Sequence, residues 1–82
     1  KNNFAKYLES LNRYYPSPEL LSLSEEDLRQ GLNKLKAWNF KYIIVHNDLV
    51  DIESSKDIHQ FLKRFLDEPV VYENNIIVYK IQ

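Results

Sequence analysis

The chain has 82 residues, 44% hydrophobic and 13% aromatic, a composition outside the low-hydrophobicity range of disordered chains and sufficient for one modest core. Eleven basic residues against twelve acidic ones leave a net charge of -1, which removes the general attraction that underlies most nucleic-acid binding. Cysteine is absent, so disulfides, thiolate nucleophiles and cysteine-ligated metals are excluded, and no stretch approaches the ~20 apolar residues that span a bilayer.

In chain order, Phe4, Tyr7, Leu8, Leu11, Tyr14 and Tyr15 recur at three- and four-residue steps and predict a helix over residues 3–14 with Lys6, Glu9, Ser10 and Arg13 on its wet side. Tyr7, Tyr14 and Tyr15 are expected in the core or at its rim rather than on a partner- or sugar-stacking surface. Pro16 and Pro18 then impose a connector over residues 15–21, which Leu20, Leu21 and Leu23 should hold down. Two cap patterns, Ser22 with Glu25 and Ser24 with Asp27, start a second helix near Ser24, and the acidic run 25–27 suits its N-terminal dipole. Leu28, Leu32, Leu35 and either Ala37 or Trp38 form its buried stripe, while Arg29, Lys34 and Lys36 face water. Gly31, the only glycine, lies inside this helix and either admits a close neighbour or is tolerated at about 1 kcal/mol. A lone helical glycine excludes the usual phosphate-cradling loops. Asn39, tolerant of the left-handed conformation, should end the helix.

Lys41 to His46 is apolar without alternation and predicts a central strand covered on both faces. A polar loop over residues 47–54 follows. Ser55 is the expected cap of a third helix, in which Ile58, Phe61, Leu62, Phe65 and Leu66 make a regular stripe ending before Pro69, with Phe61 and Phe65 as its anchors on the sheet. Residues 70–73 and 76–81 read as two strands about Asn74-Asn75, a type I′ hairpin in which Tyr72 and Tyr79 pair across the ladder. The expected fold is therefore α+β: three helices on a small three-stranded mixed sheet, in the order helix, helix, strand, helix, strand, strand. Strands 41–46 and 70–73 should run parallel through a right-handed crossover, with the strongly apolar last strand in the middle.

Polar groups just past a buried strand are where ligands gather in open α/β sheets. His46, Asp48, Asp51 and Glu53 lie at that place, and with His59 they form the one histidine and carboxylate grouping available to acid–base or metal chemistry. The helical His-x-x-x-His or Glu-x-x-His spacing that fixes ligands is missing. Ser54 and Ser55 are near the histidines in sequence but are better explained by capping than by nucleophilic catalysis. The expectation is a strand end and loop entry with no catalytic, cofactor-binding or metal residue, the four loop residues remaining as surface candidates.

The segments LNKLKAWNFKYIIVHNDL (32–49) and FLKRFLDEPVVYENNIIVYKI (61–81), together with the residues around them over roughly 28–81, resemble the C-terminal soluble region of prokaryotic multi-spanning membrane glycosyltransferases of the dolichyl-phosphate-mannose mannosyltransferase type. In that family a helix leads through a glycine-containing turn into a strand of the kYvivH kind; here Asn39 replaces the glycine and Asn74-Asn75 an acidic turn. The resemblance implies a parent that transfers sugar from a lipid-phosphate donor with a catalytic carboxylate on loops between membrane helices. It implies that residues 1–82 are a single soluble, non-catalytic accessory domain excised from that parent, extracytoplasmic and membrane-anchored through it. Its partners would be the transmembrane part of the same polypeptide and a glycan or protein acceptor. The absence of methionine, even at position 1, gives the same expectation of a fragment. The competing expectation is an independent small-ligand or hydrolytic domain that uses the loop from His46 to Glu53.

Overall fold

A computed structural model describes residues 2–12 and 22–82. Its elements are α1 (Asn3–Ser10), α2 (Glu25–Ala37), β1 (Tyr42–His46), a 3-10 turn (Asn47–Leu49), α3 (Ile52–Phe65), β2 (Val71–Glu73) and β3 (Ile76–Lys80). The expected element order holds. Among the described residues no helix is long and apolar enough to cross a membrane.

Asn2 caps α1 by accepting from the Ala5 amide at 2.9 Å, and its own amide donates to the Gly31 carbonyl at 2.8 Å, tying the start of α1 to the middle of α2. Gly31 is the contact point. A β-carbon there would lie 2.7 Å from the Phe4 backbone nitrogen, so the glycine is required for the close approach of the two helices. Phe4 is fully buried behind this contact, and Tyr7, Leu8 and Leu11 pack around it. Helix α1 stops at Ser10, short of the expected residue 14; Tyr14 and the whole proline connector, residues 15–21, lie outside the described residues. Leu23, just past the connector, packs against the core.

Of the two cap patterns at α2, the second is used: Ser24 and Asp27 exchange hydrogen bonds with each other's backbone amides, both at 3.1 Å. Leu28, Leu32 and Leu35 are buried as expected, but Ala37 and Trp38 are both exposed, Trp38 by 56%. They are the last helical residue and its cap, past the end of the buried stripe. Asn39 takes φ 72°, and the amides of Asn39 and Phe40 return to the carbonyls of Lys36 and Leu35, which closes the helix end in a Schellman arrangement. Gln82 seals the same turn by donating to the carbonyls of Phe40 and Lys36.

Helix α3 begins four residues earlier than a Ser55 cap would start it. Asp51 is its cap, accepting from the Ser54 amide at 3.2 Å and from the buried Ser54 hydroxyl at 2.6 Å. Ile58, Phe61 and Leu62 are buried, and Phe65 and Leu66 pack against them. The Phe61 ring lies 5.0 Å from Phe4 and 4.9 Å from Tyr7, so it anchors α3 to α1 as well as to the core. Arg29 and Arg64 cover the Phe65 ring from outside, and both reach Glu25, whose carboxyl they hold below its ordinary pKa, Arg29 foremost.

The sheet order is β1-β3-β2, with β3 in the middle as expected. Every hydrogen-bonded pair is antiparallel, so the sheet is not mixed. The crossover through α3 does join two strands that run the same way, since both oppose β3, but they are not neighbours. In register, Ile43 faces Tyr79, Ile44 faces Val78 and Val45 faces Ile77, while Val71 faces Val78 and Tyr72 faces Ile77. Tyr72 and Tyr79 are thus not directly opposed. In the hairpin, positive φ falls on Asn74 (51°) and not on Asn75, so the full type I′ geometry is not made.

The helices cover one face of this sheet. On that face Val45, Ile77 and Tyr79 are buried; on the other, Tyr42, Ile44, Val71 and Ile76 are exposed. Strand β1 is therefore an edge strand with one wet face, contrary to the expectation of a central strand covered on both. The two edges also differ. Strand β2 has three residues, follows Pro69 and ends in Glu73, whereas β1 has five residues with no proline or carboxylate among them.

Candidate functional site

The loop after β1 does not assemble into a constellation. His46 is exposed at the strand end, on the uncovered side of the sheet opposite Ile76. Asp48 is exposed in the 3-10 turn, Asp51 is turned inward as the cap of α3, and Glu53 is exposed in the first turn of that helix. Among the described residues no three histidine or acidic side chains come close enough to share a metal ion. A groove of about 540 Å³ does run beside the free edge of β1, between Leu8, Ile43, Val45, Leu49 and Ile58, with His46 at its end. Its walls are mostly aliphatic.

The other histidine is better placed. His59 Nε2 lies 3.0 Å from Asn47 Oδ1, and His59 Nδ1 lies 2.6 Å from the Tyr79 hydroxyl. The Asn47 carbonyl oxygen only accepts, so Nε2 carries the proton; Nδ1 of the neutral ring then accepts, and the Tyr79 hydroxyl donates to it. The Ser55 hydroxyl donates to the same Asn47 oxygen at 3.1 Å. This chain links α3, the turn after β1 and the central strand.

Its electrostatics follow from its position. Burial, with a contribution from Lys63, lowers the His59 pKa below 6.5, and burial first, then Glu68 and Tyr72, pushes the Tyr79 hydroxyl up to about 12. A proton added at Nδ1 would force the Tyr79 hydroxyl to accept instead of donate, leaving its own proton without a partner in a fully buried place. The neutral imidazole is therefore the state that the structure is built around.

The same geometry argues against nucleophilic catalysis. The unprotonated nitrogen of His59 faces the interior and Tyr79, and both Ser55 and His59 donate to Asn47, so the ring is not presented to Ser55 as a base. Ser54 is committed to Asp51. Neither serine is the cap that the sequence suggests: Asp51 caps α3, Ser54 donates to it from inside the helix, and Ser55 bonds to Asn47. The link from His59 to Tyr79 joins residues far apart in sequence. Its traces in the sequence are Ser55 and His59 one turn apart on the flank of the apolar stripe, and Tyr79 in phase with Ile77 and Ile81. Comparison with protein-family models, with curated proteins and with solved structures found no match to the chain.

Proposed function

We propose that this chain is a non-catalytic accessory domain of a membrane-embedded, glycosyltransferase-like protein, and that it docks through the uncovered face of its sheet on the transmembrane part of the same polypeptide. The observation that carries this reading is that bare face. Tyr42, Ile44, Val71 and Ile76 are each more than a third exposed, and the register places Ile44 and Val71 on either side of Val78, so the apolar side chains are contiguous across all three strands. Contiguous apolar surface of this kind marks contact sites. The resemblance of residues 28–81 to the soluble C-terminal region of lipid-phosphate-dependent glycosyltransferases supplies the partner, and with it an extracytoplasmic, membrane-anchored setting in the parent and a glycan or protein acceptor as the further contact.

The full coding sequence tests the setting: several long apolar segments upstream of Lys1 are expected, and a reading frame that starts just before Lys1 would sink it. The docking face is tested directly because the chain has no cysteine. In the full-length protein, an Ile44→Cys variant should cross-link to the membrane-embedded part, whereas Glu53→Cys, on the helical side, should not. The purified chain alone is expected to turn over no lipid-phosphate sugar.

A further inference from the structure

A second cavity, of about 580 Å³, opens on the flank of α3 away from the bare sheet face. Its size is in the range of sites that hold small molecules. Asn47, Ser55, Lys56, His59, Gln60 and Lys63 contribute polar groups to it, and Tyr72 and Tyr79 close it from the hairpin. We propose that this cavity binds a phosphate ester, with Lys56 and Lys63 as its cationic contacts and the Tyr72 ring as a wall for the organic part of the ligand.

Three observations carry the assignment. The first is charge. The chain has more acidic than basic residues, yet no carboxylate lines this cavity, while two lysines do. Successive turns of α3 place Lys56, then Gln60, then Lys63 along one side, so their donors share a single surface. The second is availability. Lys56 has no ion-pair partner among the described residues, and Lys63 meets only Glu68 at 3.4 Å, in a pair exposed on both sides and easily exchanged for a better anion. The third is the ring. Tyr72 is 74% exposed although its position in the register directs it to the helical side of the sheet, which leaves an aromatic surface beside the lysines that none of the described residues covers.

The charge of the site favours a phosphate ester. Lys56 and Lys63 act as two point charges, and a phosphate monoester carries nearly two negative charges where a carboxylate carries one. The hydrogen bonds from Tyr79 to His59 and from His59 to Asn47 hold the cavity floor in place before any ligand arrives. The site is separate from the bare sheet face, so it stands or falls independently of the docking proposal.

The test is NMR on the whole 82-residue chain. Inorganic phosphate and a hexose 1-phosphate are titrated at constant ionic strength against sodium chloride, and vesicles of phosphatidylcholine with and without phosphatidic acid are added in parallel. The expected result is saturable shifts of Lys56, Gln60 and Tyr72, with the His59 imidazole pKa raised by the bound anion. Lys56→Gln, an exposed change that leaves the core intact, should weaken binding about three- to fivefold. Tyr72→Ala should weaken the hexose phosphate more than inorganic phosphate. Response to the free esters assigns a soluble ligand, and response only to vesicles with phosphatidic acid assigns a lipid headgroup. Shifts that chloride reproduces, that Lys56→Gln leaves unchanged, or that no phosphate source produces would overturn the proposal.

Discussion

Ile76 and Ile77 are adjacent in β3 and chemically identical, yet Ile76 is 43% exposed and Ile77 is fully buried. The difference lies wholly in which face each presents. Ile77 meets Val45 and Tyr72 on the side packed by helices, and Ile76 meets His46 and Glu73 on the side that none of the described residues covers. One side of the sheet is used for folding and the other, nearly as apolar, is left over. Residue type thus does not report burial here; the presence of a covering layer does.

The largest effect that could break this contrast is on the covered side. Ile77→Ala should lower the unfolding free energy by about 2–5 kcal/mol, because the helices cannot fully collapse into the space vacated; urea unfolding measures it, and a loss near zero would erase the distinction between faces. Next comes the layer behind that face. Gly31→Ala offers about 1 kcal/mol of helix propensity but drives a methyl group to within 2.7 Å of the Phe4 backbone nitrogen, where overpacking costs about 1–3 kcal/mol, so a net loss of stability is expected. A more stable variant would mean that α1 moves freely on α2.

The polar part of the covered side makes a prediction in pH. The folded-state pKa of His59 is depressed, so the unfolded chain binds more protons below 6.5. Stability contributed by the neutral ring is complete above that value and is lost as pH falls toward the folded-state pKa. Between about pH 7 and 5 the unfolding free energy should therefore decline, and His59→Gln should flatten the decline. An unchanged slope would show that other groups carry it. The smallest effect belongs to the bare face: Ile76→Thr should change stability by no more than about 0.5 kcal/mol. A larger loss that grows with protein concentration would show that copies of the chain cover this face in solution.

Much of the covered side was legible in the sequence. The stripes Leu28-Leu32-Leu35 and Ile58-Phe61-Leu62 follow the helical period, and their residues are buried. Asn39 was readable as a helix stop because few other residues accept its φ. The composition of β3 placed it centrally. What misled was the bare face, since an apolar outer row made β1 look covered on both sides when the sequence carries no mark of what is missing. The start of α3 was hidden for a related reason: its first turn is mostly wet, so the apolar period begins only at Ile58, and Asp51 competed with Ser55 as a cap. For the candidate site, the segment from His46 to Glu53 does follow the first strand, but only residues 47–51 of it are turn and loop, with His46 ending β1 and Glu53 already in α3. The link between His59 and Tyr79 depended on a strand register that no local pattern reveals.

The position of β3 has a consequence for how the sheet comes into being. Strands β1 and β2 touch only through β3, and β3 follows both in the chain. During vectorial synthesis neither earlier strand has a sheet to join until β3 has emerged. The β2–β3 hairpin closes over two residues, but β1 must wait for a distant partner, and such non-local closure is slow. Over that interval Tyr42-Ile43-Ile44-Val45, β-prone and without a charge or proline, has two open edges instead of one. The central strand therefore also protects the chain from self-association, and a nascent chain that stalls before Ile76 would expose its most adhesive segment.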